Sequence, residues 1–159
     1  MAALTSITIP NSVTQLGRAT FYFCDALITA TIGNGVKSIE EDTFLNCTVL
    51  TSVTIPNSVN TIDRWAFSSS EALTSMIVEW EKLPESISPY MFSESENATL
   101  YVPFGTKAIY EAAKPWKEFK EIAEYRVIYK NTGDLNNDGK VTISDVTKLV
   151  NIILGKEKE

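Results

Sequence analysis

LTSITIPNSV occupies residues 4–13, and it returns at residues 50–59 as LTSVTIPNSV with a single substitution. The two copies are separated by two periods of 23 residues. Self-similarity at a fixed period of this length is the signature of a stacked-repeat protein. Because each repeat buries its apolar residues only against its neighbours, the stretch predicts an array of coils with one shared core.

The apolar residues follow the period as columns. Leucine recurs at residues 4, 27, 50 and 73, and phenylalanine recurs at residues 21, 44 and 67. Three and a half copies are evident, and the period fails after Trp80. The remaining columns are Ile7, Ala30, Val53 and Met76; Ile9, Ile32, Ile55 and Val78; Val13, Val36 and Val59; and Leu16, Ile39 and Ile62.

Each copy divides into three segments. Residues 4–9 alternate between apolar and polar side chains, which predicts a half-buried strand, and Pro10 with Asn11 ends it. Residues 13–16 predict a second short extended segment. Residues 17–24 predict a short helical or 3₁₀ turn that is anchored by the buried Phe21.

The columns resemble leucine-rich repeats, although Asn11, Asn34 and Asn57 come one position earlier than the buried asparagine of that pattern. The fuller pattern, LTSITIPNSV followed by AF-x-x-C-x-x-L, resembles the BspA-like repeats of surface proteins from anaerobic gut and oral bacteria. The resemblance implies an extracellular or bacterial cell-surface protein. Separately, the array opens on its own repeat leucine without a polar cap, so we expect a further piece of the array before Met1.

Cys24 and Cys47 occupy one column, and Ser70 fills that column in the third copy. A column that accepts both residue types is a packing position. Adjacent coils lie ~4.8 Å apart, within reach of a disulfide, but equivalent side chains of stacked coils point in parallel directions. We therefore expect free, buried thiols.

Composition excludes several classes of function. The net charge of -6 and the absence of a basic patch argue against nucleic-acid binding. No apolar run approaches the ~20 residues of a membrane span. The chain has no histidine, so it lacks the commonest general base. We predict no catalytic residues, and we expect the carboxylates of residues 25, 40–42 and 63 to be solvated on turns.

Residues 81–129 predict an α+β capping element. Residues 98–103 indicate a strand, TKAIYEAA from residue 106 a short helix, Pro115 with Trp116 another helical turn, and residues 122–129 a further strand. We expect this element to cover the apolar end of the last coil. The side chains expected to do so are Trp80, Tyr101, Trp116 and Phe119.

DLNNDGKVTISD, at residues 134–145, has the spacing of an EF-hand-type calcium loop. Gly139 permits the sharp turn, and Thr142 is placed to hold a water ligand. Hard oxygen donors in a flexible loop favour calcium over magnesium. The predicted ligands are the side chains of Asp134, Asn136, Asp138 and Asp145 and the backbone carbonyl of Lys140.

Residues 133–155, including the helical VTKLVNIILG, resemble one calcium segment of a type I dockerin. The resemblance implies that Ile143 and Ser144 face a cohesin partner. Dockerins carry two such segments and only one occurs here, so we expect weaker calcium affinity, toward the millimolar end of the extracellular range. The alternative is a metal-free acidic turn in which Asp145 caps the following helix.

The predicted fold is a β-rich leucine-rich-repeat solenoid (1–80) with the capping element (81–129) and an EF-hand-like loop and helix (130–159). The predicted function is extracellular binding of a protein or glycan partner, with a calcium-dependent tail for attachment. Serine and threonine columns on the outer strand face are one candidate surface, although threonine also simply suits strands. Two alternatives stay open: an accessory region of a larger carbohydrate-active or proteolytic enzyme, and a structural spacer.

Overall fold

The computed structural model describes residues 3–84, 86–93 and 97–126. The chain divides into two units, residues 1–125 and 126–159. Nearly all of the described residues belong to the first unit. The predicted calcium loop and its helix lie outside the described residues.

The first unit is built on two parallel sheets. The six-stranded sheet has the order β1-β3-β5-β7-β9-β10. Its strands are β1 Ser6–Thr8, β3 Thr29–Thr31, β5 Ser52–Ile55, β7 Ser75–Val78, β9 Thr99–Pro103 and β10 Glu121–Tyr125. The four-stranded sheet has the order β2-β4-β6-β8. Its strands are β2 Gln15–Leu16, β4 Ser38–Ile39, β6 Thr61–Ile62 and β8 Ser86–Ile87.

The register places equivalent residues of successive repeats side by side. Ile7 pairs with Ala30, Ala30 with Val53, and Val53 with Met76. Because strand residues alternate between faces, these apolar columns point inward together, and most of their side chains are buried. The predicted solenoid, with its two extended segments in each repeat, is confirmed.

The third side of each coil, which we call the turn side, comprises residues 17–25, 40–48, 63–71 and 88–93. It contains turns and no helix, so the helical prediction for residues 17–24 is wrong. The 3₁₀-type hydrogen bonds are present, for example from the amide of Tyr22 to the carbonyl of Ala19 at 3.2 Å. Positive φ values recur every four residues, at Ala19 (55°) and Phe23 (55°) in the first coil, and they interrupt any helix.

This unusual backbone joins one coil to the next. Alternate amides of the turn side donate to the following coil: Phe21 to Thr43, and Phe44 to Ala66, both at 2.8 Å. The left-handed residues turn those amides outward along the solenoid axis, while the intervening amides bond within the coil. The turn side is therefore hydrogen-bonded to its neighbours without being a sheet.

The phenylalanine column forms a stack inside the turn side. The ring of Phe44 lies parallel to its two neighbours, with centroids 5.0 Å from Phe21 and 5.2 Å from Phe67. Phe92 extends the column at 6.5 Å from Phe67. Phe44 and Phe67 are fully buried, as predicted, while Phe21 in the first coil is partly exposed.

The coils continue beyond Trp80, where the sequence period fails. β8 pairs with β6, and β9 pairs with β7. The fourth coil has two extra residues between its strands: Ile55 and Ile62 correspond to Val78 and Ile87. An insertion confined to one corner breaks the sequence period but leaves the strands stacked.

An aromatic cluster follows β9. It is formed around α1 (Lys107–Glu111), a 3₁₀ helix (Trp116–Glu118) and β10. Trp116 packs edge-on against Trp80, Phe92 and Tyr110, with centroids 5.5–5.6 Å apart. Tyr101 was expected to join this cluster, but it pairs with Ile77 and points to the outer face of the sheet, because β9 continues the alternation of the earlier strands.

Candidate binding surfaces

The turn side carries most of the large exposed aromatic side chains. Trp65 is 41% exposed and Tyr90 is 64% exposed. They lie in adjacent coils, and the amide of Trp65 donates to the carbonyl of Tyr90 at 3.0 Å. Tyr22 and Phe23, in an edge-on pair 4.5 Å apart, are also exposed on this side. The turn side therefore carries two exposed aromatic pairs, one in the first coil and one shared by the third and fourth coils.

Trp65 adopts the left-handed conformation, with φ of 57°. The same position holds Ala19 (55°) and Asp42 (60°) in the two preceding coils. The fold thus accepts small or polar side chains here, and a bulky side chain with positive φ is unfavourable. The large exposed ring at this position is not required by packing.

A charged network holds the tryptophan ring in place. The guanidinium of Arg64 lies 4.7 Å from the centroid of the Trp65 ring. The Nε–H of Arg64 donates to Glu41 at 2.8 Å, and Glu41 also lies 3.7 Å from Arg18. The sequence predicted that Glu41 is solvated. That prediction is wrong for this residue, because its side chain is paired with arginine and only 17% exposed. We call Arg64, Trp65 and Tyr90 the aromatic patch.

The outer face of the six-stranded sheet is polar and uncharged along most of its length. The serine and threonine hydroxyls of this face form no hydrogen bonds with other described residues, whereas Thr43, Ser58 and Ser68 elsewhere bond to backbone carbonyls. The unbonded hydroxyls belong to Ser6, Thr29, Ser52, Ser75, Thr99, Thr8, Thr31 and Thr54. In the column of Thr8, Thr31 and Thr54, the next two positions are the apolar Ile77 and the aromatic Tyr101. This is the candidate face indicated by the sequence.

The cysteine column has a structural role. Both cysteines are free, and Cys47 is buried while Cys24 is partly exposed. The thiol of Cys47 donates to the carbonyl of Phe21 at 3.2 Å, and the hydroxyl of Ser70 donates to that of Phe44 at 3.4 Å. Cysteine and serine make the equivalent hydrogen bond to the preceding coil, which explains why this position accepts either residue type. Burial raises the pKa of the Cys47 thiol to about 11, which makes it a poor nucleophile near neutral pH.

The predicted calcium ligands and the partner-facing residues all lie outside the described residues. They are Asp134, Asn136, Asp138, Lys140 and Asp145, with Ile143 and Ser144 facing the partner. In the part of the chain that the structure describes, no group of three or more acidic, cysteine or histidine side chains is arranged to hold a metal. No helix among the described residues is long and apolar enough to cross a bilayer.

Sequence reasoning missed the aromatic patch. The signal was present in the column of residues 19, 42 and 65, where tryptophan replaces alanine and aspartate while the neighbouring core columns hold constant. A residue that departs from its column at an exposed position is a candidate for function. The two-residue insertion concealed Tyr90, because a strict 23-residue shift aligns Trp65 with Ser88.

The BspA type leucine rich repeat region matches residues 1–113 in six copies. The chain belongs to this family. The BspA-type repeats extend past the three and a half copies evident from the sequence columns, in agreement with the continuation of the coils through β8 and β9. The matching family is defined by its repeats, and no catalytic family is indicated.

A solved structure of low sequence identity has the same fold. A leucine rich repeat protein of T. pallidum (TpLRR) superposes with a TM-score of 0.51 at 15% identity, covering 79% of this chain and 73% of that chain. The pneumococcal vaccine antigen PcpA gives a TM-score of 0.44 at 15% identity, covering 77% of this chain and 42% of that chain. No curated protein sequence matches the BspA-type chain.

Proposed function

We propose that this chain is a non-catalytic protein-interaction module whose partner binds the aromatic patch of the turn side. The observation that carries the proposal is Trp65, a large ring that is 41% exposed at a backbone position where two other coils hold alanine and aspartate. Placing tryptophan there costs conformational energy without burying the ring in the core. A bound partner would bury the ring and so offset that cost.

The patch has the composition and rigidity of a binding hot spot. Tryptophan, tyrosine and arginine are the residues most enriched at the centres of protein interfaces. Arg64 lies against the Trp65 ring and is itself held by Glu41, so the ring loses little further freedom on binding. The carbonyl of Tyr90 accepts from both Trp65 and Ser68, which fixes its backbone.

The proposed location is the outside of a bacterial cell. The support is the resemblance of LTSITIPNSV and its copies to repeats of bacterial surface proteins, together with membership of the BspA-type family. An accessory region of a larger extracellular enzyme is the second possibility. The coding sequence that precedes Met1 distinguishes the two, because an adjoining catalytic domain would favour the accessory role.

The outer sheet face is the second candidate surface. The observation in its favour is its set of eight hydroxyls without hydrogen bonds to other described residues. It has fewer large exposed side chains than the turn side, and hydroxyls on strands are ordinarily solvated.

Selection of ligands from a random peptide library displayed on phage tests the proposal and requires no identified partner. We expect enriched peptides whose affinity falls about 30-fold in Trp65→Ala, which corresponds to the ~2 kcal/mol of a hot spot. Phe104→Ala is the matched control, since Phe104 is 53% exposed elsewhere on the molecule. Failure to enrich any peptide, or enrichment of peptides that bind Trp65→Ala equally well, would contradict the proposal.

We also propose that residues 134–145 bind calcium through Asp134, Asn136, Asp138, Lys140 and Asp145. The support is the spacing of the oxygen donors around Gly139. Calorimetric titration with calcium should give saturable heat with a dissociation constant near the millimolar range. Asp134→Ala and Asp138→Ala should each abolish that heat. An unchanged titration in these variants, or no heat in the parent chain, would leave the metal-free helix cap as the better account.

The tail would then serve attachment, with Ile143 and Ser144 contacting a cohesin-like partner. Binding of purified cohesin modules in the presence of calcium, and its loss on chelation, is the expected result. Substituting both residues with aspartate should abolish cohesin binding while leaving calcium binding intact, since neither is among the proposed ligands. Binding that survives chelation would contradict a calcium-dependent contact.

A further inference from the structure

A groove lies at the corner between the two sheets, away from the aromatic patch. Its volume is about 630 Å³, within the range of small-ligand sites. It is lined by side chains of the second, third and fourth coils. Those that bear on its chemistry are Lys37, Asn57, Asn60, Trp80, Glu81 and Lys82.

The groove arises from the two-residue insertion of the fourth coil. The segment between Val78 and Ile87 is longer than its equivalent in the third coil. Its residues Glu81 and Lys82 line one side of the groove, which we call the wall. The third-coil turn at Asn57 lies opposite. The corners of the earlier coils lack the insertion, so they lack this wall.

The wall is fixed at its base by Trp80. The indole Nε1–H of Trp80 donates to the carbonyl of Val59 at 2.8 Å, and the hydroxyl of Tyr110 donates to the carbonyl of Trp80 at 2.8 Å. All three residues are buried. The backbone at the start of the longer segment is thereby fixed at Trp80, next to the exposed Glu81 and Lys82.

Most ligand pockets are predominantly apolar, but this groove is lined mainly by amides, lysines and a carboxylate. The side-chain amides of Asn34, Asn57 and Asn60 make no hydrogen bond with other described residues. Within the same part of the chain, Lys37 and Lys82 have no carboxylate within ion-pair distance. Amides supply both donors and acceptors, as a polyhydroxylated ligand requires.

We propose that the corner groove binds an acidic saccharide, one whose carboxylate lies between Lys37 and Lys82 and whose hydroxyls bond to Asn57, Asn60 and Glu81. The lysines give the groove a net positive charge in a chain whose total is -6. Glu81 and the amides favour a saccharide over a simple anion, because they offer hydrogen-bond partners to ring hydroxyl groups that inorganic phosphate does not have. The site lies beyond the proposed protein-binding function, since it uses a different part of the solenoid.

Calorimetric titration of the full chain with tri-galacturonate tests this assignment, with maltotriose and inorganic phosphate as comparison ligands. We expect saturable 1:1 binding of tri-galacturonate that weakens as salt is raised. Maltotriose lacks the carboxylates and should bind at least about tenfold more weakly. Phosphate should give no saturable heat.

The double variant Lys37→Gln with Lys82→Gln should weaken tri-galacturonate binding about tenfold, because two exposed charge contacts are lost. Lys120→Gln is the matched control, an exposed lysine remote from the groove, and it should bind as the parent does. Trp65→Ala should also bind the saccharide normally, which separates this site from the aromatic patch. The inference is overturned by absent saturation, by equal binding of phosphate, or by undiminished binding in the double variant.

Discussion

Replacing Phe44 by alanine tests the stacked core at its most constrained position. Phe44 is fully buried, and its ring lies parallel to Phe21 and to Phe67, with centroids 5.0 and 5.2 Å away. Deleting a buried phenylalanine ring removes its transfer free energy and leaves a cavity, at a cost of about 3–5 kcal/mol. The flanking rings belong to hydrogen-bonded coils and close the cavity poorly, so we expect a loss of about 4 kcal/mol in the free energy of unfolding.

Phe21→Ala provides the comparison within the same column. Phe21 lies in the first coil, is partly exposed and has one neighbour of the column, Phe44. We expect it to lower the free energy of unfolding by about 2 kcal/mol, since less apolar area and one ring contact are lost. Phe44→Leu preserves apolar volume but loses the stacking and should cost less than Phe44→Ala.

Urea unfolding followed by both circular dichroism and tryptophan fluorescence measures these differences. Trp65, Trp80 and Trp116 report the third coil and the residues after it, while dichroism reports the whole array. Coincident transitions justify a two-state free energy, whereas separated transitions indicate that coils unfold in sequence. A Phe44→Ala variant no less stable than Phe21→Ala would refute the continuous phenylalanine stack.

Three further predictions concern single residues. The free energy of unfolding should fall by at most roughly 3 kcal/mol between about pH 9 and pH 11, because the folded state keeps the Cys47 thiol protonated after the unfolded chain has lost that proton. Urea titrations at several pH values should show this loss of stability. Cys47→Ser should abolish the part of the loss that comes from this thiol. Gly35→Ala should lower the melting temperature strongly, because the added Cβ would overlap the carbonyl oxygen of Asn11. Gly17→Ala is the control: the atom nearest to its added Cβ lies 3.7 Å away, so stability should change by no more than about 1 kcal/mol. Trp80→Phe should cost about 1–3 kcal/mol in a urea titration, because a buried carbonyl loses the indole hydrogen bond; an unchanged midpoint would count against that bond.

The strands are predictable because their physical signal is local. An alternating pattern decides which face of a strand is buried, and a fixed period decides which residues stack, so the pattern alone assigns Ile7, Ala30 and Val53 to one column. The interchange of Cys47 and Ser70 likewise indicates a packing position, and the structure adds the hydrogen bond that both residues make.

The turn side is not predictable from residue types. Asp42 and Asn46 tolerate a positive φ, but Ala19 and Trp65 do not favour it, so the residue types give no consistent local signal for this conformation. The conformation is imposed by the neighbouring coils, whose carbonyls accept the outward-turned amides of residues such as Phe21. Contacts that exist only once the coils have stacked override local helical propensity.

The candidate surfaces depend on small departures from the repeat. The insertion after Val78 looks in the sequence like the end of the array, since a lost period does not distinguish a terminated coil from a longer one. The pairing of β8 with β6 shows that the coil continues, in agreement with the family match through residue 113, and the inserted residues line the groove. Tyr101 shows the reverse error, since its aromatic character suggested burial while its strand position places it on the outer face.

Hydroxyl-radical footprinting of the chain, alone and bound to its tightest selected ligand, tests the proposed binding surface most directly. The method reports solvent access to individual aromatic side chains, and both candidate surfaces carry such reporters: Trp65 and Tyr90 on the aromatic patch, and Tyr101 on the outer sheet face. Binding at the aromatic patch predicts protection of Trp65 and Tyr90, with Tyr101 and Phe104 unchanged. Protection of Tyr101 with Trp65 still fully reactive would place the partner on the outer sheet face and contradict the account.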